Sequence, residues 1–458
     1  MENKEQQVKN SFIYLLPVLV GNLIPIITLP IYTRILSKED FGALALAQVF
    51  ASFLNGLGNF GLLVVYERNF FQYRNSKQEA ALLYSSLFFV LSTFIIFGSL
   101  AFIFKTTISN HLIGTPGYAN FIFWNYCAAG FMSLKMYYLT YFKNTENASS
   151  YVWYTIDENI IGFLVSLLLV AVVKVGIIGI PYGQVIASLI VFFLLNIKFL
   201  KMYPVTFDRF VLWDALKTSF PLTPKLILSV IGNQSDKYIL GLVGTIGGVG
   251  IYSIGQRVAN MGYVYMTAIQ NVFSPQVYKR MFGSGDRGGV EVGKYLTPFA
   301  YISVAVVLLI VLFSEEVIMI LTPKSYYGAE DIIVILSIYY SFLFFGKQPQ
   351  LLFAKKTFVT SLLSLVGIVS SVVVSVPFIK SFGTIGAAWA ALIGGMISSG
   401  ISFRASQYYY KIYWEYRKLA GIYGIFLISS GLALSHWRDH RRILNARLLL
   451  KRAVERSS

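Results

Sequence analysis

Apolar runs of about 20 residues recur along the whole 458-residue chain, and each is the length a helix needs to cross a hydrocarbon core of ~30 Å. They fall at 11–32, 41–66, 80–104, 118–142, 151–173, 176–199, 219–243, 247–275, 295–321, 330–353, 357–379, 384–403 and 418–436. Barrel strands would be about 10 residues long and alternate polar with apolar, which these runs do not. In lipid the backbone has to satisfy its own hydrogen bonds, which leaves helices. The expected fold class is therefore all-α integral membrane, with twelve core transmembrane helices in two parallel-repeat six-helix lobes and an additional C-terminal helix. The expected organisation is an N-terminal lobe over 1–200, a C-terminal lobe over 201–403, and a further hydrophobic segment with a basic tail over 404–458.

Composition agrees. Hydrophobic residues make up 56% of the chain and charged residues only 13%, too few charges to cover a soluble surface of this size. No polar stretch is long enough to form a separate soluble domain. The single cysteine, Cys127, excludes an intrachain disulfide and argues against a thiol-based metal cluster. His111, His436 and His440 have no ligand spacing. The first apolar run is too long for a signal-peptide core and reads as a retained helix. The net charge of +17 comes with no basic module, so nucleic acid is not an expected partner. Lysine and arginine gathered at the anionic cytoplasmic leaflet account for it.

Loop charges set the orientation. With a cytoplasmic N-terminus, the inside connections carry Arg68, Arg74 and Lys77, then Lys143, the Lys198–Lys217 group, the Lys279–Lys294 group, Lys355 and Lys356, and the Arg404–Lys418 group. The outside connections carry Arg34, Lys38, Lys105, Lys174, Lys324 and Lys380. The bias runs in the expected direction at nearly every loop pair. It breaks at the tail, where thirteen crossings would put Arg438, Arg441, Arg442 and Arg447 outside, so either 418–436 does not span, or the tail re-enters, or the tail lies on the surface as a basic amphipathic helix. In this orientation Asn147-Ala148-Ser149, a glycosylation sequon, is cytoplasmic and is discarded.

A repeat accompanies the pattern. Ser11-Phe12 recurs as Ser219-Phe220, and Phe41-Gly42 through Gln48 recurs as Val249-Gly250 through Gln256, both at an offset of 208. Six helices separate the copies, so both halves enter from the same side, as in transporters built from parallel repeats.

Polar residues inside the apolar runs are the candidates for function, because a charge at membrane depth costs roughly 2.5–3.5 kcal/mol. In 219–243, Lys225, Ser229, Asn233 and Asp236 share an arc of roughly 80° with Lys237 at its border. In 247–275, Arg257, Asn260, Thr267 and Asn271 form a second stripe. In 41–66, Gln48, Ser52, Asn55 and Asn59 form a third. Such stripes either glue helices together or line a polar path. Pro17, Pro25 and Pro30 in the first run, and Pro221 and Pro224 in its repeat partner, predict broken helices that flank a path or tolerated kinks. Asp157 and Glu158 suit either cation coupling or a solvated helix N-terminus favoured by the dipole. There is no phosphate-binding Gly-rich loop followed by Lys-Ser or Lys-Thr, which argues against ATP-driven transport by this chain alone.

The run Pro30-Ile31-Tyr32-Thr33-Arg34-Ile35-Leu36 with Phe41-Gly42 resembles the start of the bacterial polysaccharide flippases, the O-antigen and capsule exporters of the multidrug/oligosaccharidyl-lipid/polysaccharide superfamily. Phe220-Pro221-Leu222, Asp236-Lys237-Tyr238 and Gly250-Ile251-Tyr252 followed by Arg257 are similar too, with Lys237 where the family usually has arginine. The resemblance covers roughly residues 10–403, and the tail departs from the family's usual end. It implies a non-enzymatic flippase in the bacterial inner membrane, moving oligosaccharide repeat units on undecaprenyl pyrophosphate by alternating access. It implies Arg257 and Lys225 at the diphosphate, with Arg34 and Lys237 assisting. Gln48, Asn55, Asn59, Asn233, Asn260 and Asn271 would meet sugar hydroxyls. No cofactor is implied beyond proton or sodium coupling, for which Asp236, Asp157 and Glu158 are candidates. The partners implied are the lipid-linked substrate, membrane lipids, and a polysaccharide polymerase and chain-length regulator. A lipid II flippase or a cation-coupled multidrug antiporter is the alternative, and a membrane polysaccharide polymerase the weaker one.

Overall fold

The computed structural model describes residues 15–72, 76–283, 287–346 and 349–435. Among these every regular element is helical and none is a strand. In chain order the α-helices are α1 (Leu15–Ile35), α2 (Lys38–Asn59), α3 (Leu62–Phe70), α4 (Ser76–Ile103), α5 (Lys105–Ile113), α6 (Ala119–Asn144), α7 (Ala148–Leu167), α8 (Gly179–Met202), α9 (Arg209–Ser219), α10 (Thr223–Val243), α11 (Ile246–Gly283), α12 (Gly288–Leu312), α13 (Ser314–Leu321), α14 (Ala329–Gly346), α15 (Pro349–Phe353), α16 (Thr357–Tyr409) and α17 (Tyr416–Ser435). The chain divides into two compact units between Ser253 and Ile254.

Eight of the described helices are long and apolar enough to cross a membrane. The other core helices fall short for visible reasons. The apolar part of α1 covers only Val20–Ile35, and α6, α10 and α11 carry the polar residues that make them worth study. Helix α16 has 53 residues, about 80 Å at 1.5 Å per residue, more than twice the hydrocarbon thickness. Gly383, with φ 59° and ψ −134°, breaks it into two crossings. A side chain would be strained in that conformation. The expected thirteenth helix is α17, and Tyr423 of α17 donates to the carbonyl of Ser341 in α14 at 2.9 Å. The basic tail, with Arg438, Arg441, Arg442 and Arg447, lies outside the described residues, as does the Ser11-Phe12 copy of the repeat.

Local signals start the helices. Ser37 caps α2 in a reciprocal box with Asp40, Asn147 caps α7 and Asp208 caps α9, each satisfying amides that the first turn leaves unpaired. The prolines behave unequally. The helix of α1 runs on through Pro25 and Pro30, the tolerated of the two expected outcomes. The repeat partner is interrupted, with the 3₁₀ turn Phe220–Leu222 separating α9 from α10.

In the first unit an aromatic core that includes Tyr66, Tyr137, Tyr138, Phe142 and Phe199 joins α3, α6 and α8. Helix α2 packs antiparallel on α10, with Gly56 beside Val230 and Gly241 beside Leu46. At its start α2 also meets α11. A β-carbon on Gly42 would overlap the carbonyl oxygen of Ile246, and one on Gly250 would overlap that of Lys38. Residues 42 and 250, like 38 and 246, are repeat equivalents, so the two copies touch reciprocally, backbone to backbone, where small residues allow close approach. In the second unit, Met266, Val277, Leu296, Phe344, Ile412 and Trp414 belong to one core.

Candidate functional site

The stripe on α2 faces α6. Asn55 donates to the carbonyl of Tyr126 at 3.5 Å and to that of Ala51 at 2.9 Å. Asn59 donates to Ser133 at 3.4 Å, and its amide oxygen accepts from Tyr137 at 3.4 Å and from the backbone of Leu63 at 3.1 Å. Both amides therefore tie helix to helix. Gln48, nearer the start of α2, is exposed.

On α10, Lys225 is exposed in the first turn beside Pro224. Asp236 accepts from Tyr252 at 2.6 Å and from the amide of Lys237 at 2.9 Å, while the Lys237 ammonium donates to Gln234 at 3.1 Å. The aspartate thus links α10 to α11 through a short hydrogen bond. Arg34, at the end of α1, is exposed and donates to the carbonyl of Pro30. On α11, Arg257 and Asn260 are half-buried. Arg257 is eleven residues into the helix, about 16 Å from its start. The side chains of Asn233 and Asn271 lie outside the described residues.

The two neighbouring acids of α7 separate. Asp157 is half-buried. Glu158 is 6% exposed and forms an ion pair with Lys135 of α6, itself 4% exposed. The second carboxylate oxygen accepts from Ser188 of α8 at 2.6 Å. Three helices thus meet at one buried, neutralised cluster. Sequence reasoning missed Lys135, although the rule that singled out Lys225, a lysine inside an apolar run, applies equally to it. The pair answers how Glu158 can be buried: its charge is matched by Lys135 through one oxygen, and the other oxygen accepts from Ser188. Removing either partner would leave an uncompensated charge.

The second unit holds a different kind of site. A cavity of about 500 Å³ lies between α11, α14, α15 and α16, with Gln270 and Gln350 on its wall and no charged residue among those that line it. Thr360, Ser398 and Ser402 also line it. The sequence signal was present in Gln270, Gln350 and the run Ser398-Ser399-Gly400-Ile401-Ser402, but uncharged residues did not stand out beside lysine and arginine. Among the described residues no group of three or more histidine, cysteine or acidic side chains could hold a metal ion.

Comparison with solved structures identifies the fold. The chain is similar to the lipid II flippase MurJ in an inward closed conformation, at TM-score 0.72 and 14% identity over 96% of this chain and 100% of that one. It is also similar to an inward-facing multidrug resistance MATE family transporter of the MOP superfamily, at TM-score 0.63 and 14% identity over 90% of this chain and 95% of that one. A MOP superfamily transporter from Pyrococcus furiosus matches at TM-score 0.61 and 15% identity, over 88% of this chain and 95% of that one. No curated protein matches the sequence. The helices are therefore those of a multi-pass membrane protein with the twelve-helix transporter fold and one added helix. Residues 7–279, more than half of the sequence, match the family described as polysaccharide biosynthesis protein, and the chain belongs to that family.

Proposed function

We propose that the protein is a flippase that carries undecaprenyl-pyrophosphate-linked oligosaccharide repeat units from the cytoplasmic to the outer leaflet of the bacterial inner membrane. The observation that carries this reading is a polysaccharide-biosynthesis family match in a chain with a transporter fold. A sugar chain and a diphosphate cannot cross hydrocarbon unaided, so their path has to be polar and biased to positive charge. In this reading the repeats over 1–200 and 201–403 alternate access to that path, and the N-terminus is cytoplasmic. Arg257 and Lys225 bind the diphosphate, with Arg34 and Lys237 assisting. Gln48, Asn55, Asn59, Asn233, Asn260 and Asn271 serve the sugar path, Asn55 and Asn59 doing so from amides already tied to α6. Proton or sodium coupling acts through Asp236, Asp157 or Glu158. A polymerase and a chain-length regulator receive the product.

Deletion of the gene, followed by analysis of lipid-linked sugars in each leaflet, tests the class. Complete repeat units should accumulate on the cytoplasmic side. Units that still reach the outer leaflet while chains fail to lengthen would make the protein a polymerase instead. Within the flippase reading, Arg257→Ala should abolish surface polysaccharide while insertion and protein level stay normal, and full export from a stably inserted variant would remove Arg257 from the path.

A second reading is a cation-coupled drug antiporter, because Glu158 is an acid deep in the first unit. Lys135 neutralises it, which weakens that reading. Drug efflux measured beside polysaccharide export in the deletion strain separates the two.

A further inference from the structure

Helix α9 has 11 residues. At about 16 Å it is too short to cross a bilayer, and it follows α8, which is long enough to do so. It therefore starts at the membrane face where α8 ends. At roughly 100° per residue its side chains divide into two arcs. Val211, Leu212, Ala215 and Leu216 pack into the aromatic core of the first unit. The capping Asp208 is tied to α4, where the Ser85 hydroxyl accepts from its amide at 2.9 Å. The opposite arc holds Arg209, Phe210, Trp213, Asp214 and Lys217, all of them exposed. Phe210 is 72% exposed and Trp213 70%.

The neighbours of these rings mark what covers them. Phe207, also exposed, lies 5.4 Å from the ring of Phe88 on α4. Phe88, Ile95 and Ile96 are exposed on a helix long and apolar enough to span the membrane, so lipid covers them. The outer arc of α9 continues that lipid-facing surface. Charge then selects the lipid. Arg209, Lys217, and Lys201 at the end of α8, are exposed, and among the described residues none of the three forms an ion pair. Asp214 is the only acid on the arc, since the Asp208 carboxylate accepts from the amides of Phe210 and Val211. The Arg209 guanidinium lies 4.8 Å from the Phe210 ring, so cation and ring sit together. That pairing suits the headgroup boundary, where rings reach acyl chains and cations reach phosphate. In the orientation that the loop charges predict, this face meets the anionic leaflet.

We propose that the outer arc of α9 is a binding surface for anionic phospholipid, with Phe207, Phe210 and Trp213 among the upper acyl chains and Arg209 and Lys217 at the headgroup phosphate. Helix α9 then lies in the membrane plane and anchors the chain as well as connecting it. The 3₁₀ turn Phe220–Leu222 leads from it into α10, so lipid held there also fixes where α10 begins. This holds whatever cargo the protein carries.

The test places a fluorophore on the full-length protein in nanodiscs. Cys127 is the only cysteine, so Cys127→Ser/Phe207→Cys takes a single label at this surface. The discs mix phosphatidylcholine with phosphatidylglycerol, and one or the other is brominated on its acyl chains at equal overall content. Brominated phosphatidylglycerol should quench the label more strongly than brominated phosphatidylcholine. With Arg209→Gln and Lys217→Gln added, that preference should fall by about fivefold for each cation neutralised, the attraction of one Lys or Arg to an anionic surface. Raised salt should weaken it as well. The same label in Cys127→Ser/Phe193→Cys reports ordinary lipid contact, because Phe193 is exposed on the α8 crossing. It should be quenched equally by both lipids, and unchanged quenching there shows that the neutralised protein is still folded in the disc. Equal quenching by the two lipids at 207, or a preference that survives neutralisation, overturns the proposal. Quenching by neither lipid at 207 means that water or protein covers the arc, and overturns it too.

Discussion

Two buried polar groups, one in each unit, are built differently. In the first, a lysine and a glutamate from adjacent helices neutralise one another, and a serine completes the carboxylate's partners. In the second, two amide oxygens and an indole nitrogen are buried with no protein partner among the described residues, around open space without charge. The first arrangement is closed upon itself. Its polar atoms contribute to holding α6, α7 and α8 together. Buried polarity therefore takes two forms within one chain, one matched by opposite charge and one without any charge.

The largest effect should come from opening the closed cluster. Glu158→Ala leaves the Lys135 ammonium buried and unpaired, and should destabilise the protein by about 3–5 kcal/mol, seen as a large fall in melting temperature in detergent. The double variant Lys135→Met/Glu158→Met should recover most of that loss. If single and double variants melt alike, the two residues are not coupled and the contrast between the units fails. Next in size is the contact that the repeats share. Gly250→Leu forces a side chain into the backbone of Lys38 and should cost at least the ~1–3 kcal/mol of ordinary overpacking, measured as lost monodisperse protein. Gly42→Leu should match it, since the contact is reciprocal, and a large difference between the two would mean that the symmetry is only local. The smallest effect sharpens the contrast. Gln350→Leu removes an unpaired buried acceptor and should raise the stability of the ligand-free protein by about 1 kcal/mol. Destabilisation there would place Gln350 in a closed network like that of Glu158.

Much of the fold was legible in the sequence because lipid leaves the chain few choices. Every crossing had to be a helix, and apolar length marked each one, including α17. Gly383 lies in the short gap between the expected runs 357–379 and 384–403. The prolines of α1 left two outcomes open in sequence, because a proline removes one amide donor and yet a helix can carry it as a kink. The side chains of Thr28, Thr33 and Arg34 bond back to the carbonyls of Pro25, Leu29 and Pro30 within the same helix. The candidate sites were less legible. Asp236 stood out as a charge in an apolar run, but its partner Tyr252 is an ordinary aromatic in sequence. Lys135 and Glu158 stand on different helices, and neither names the other until α6 and α7 pack. The cavity draws its wall from α11, α14, α15, α16 and the segment after α16, so no window of sequence contains it.

The reciprocal meeting of Gly42 and Gly250 carries a consequence for descent. After a duplication each half can usually drift alone, filling its own interior as mutations allow. At this junction neither copy is at liberty, because a methyl group gained by one must be accommodated by the main chain of the other. A change at one of the two positions is therefore felt by the main chain of the other.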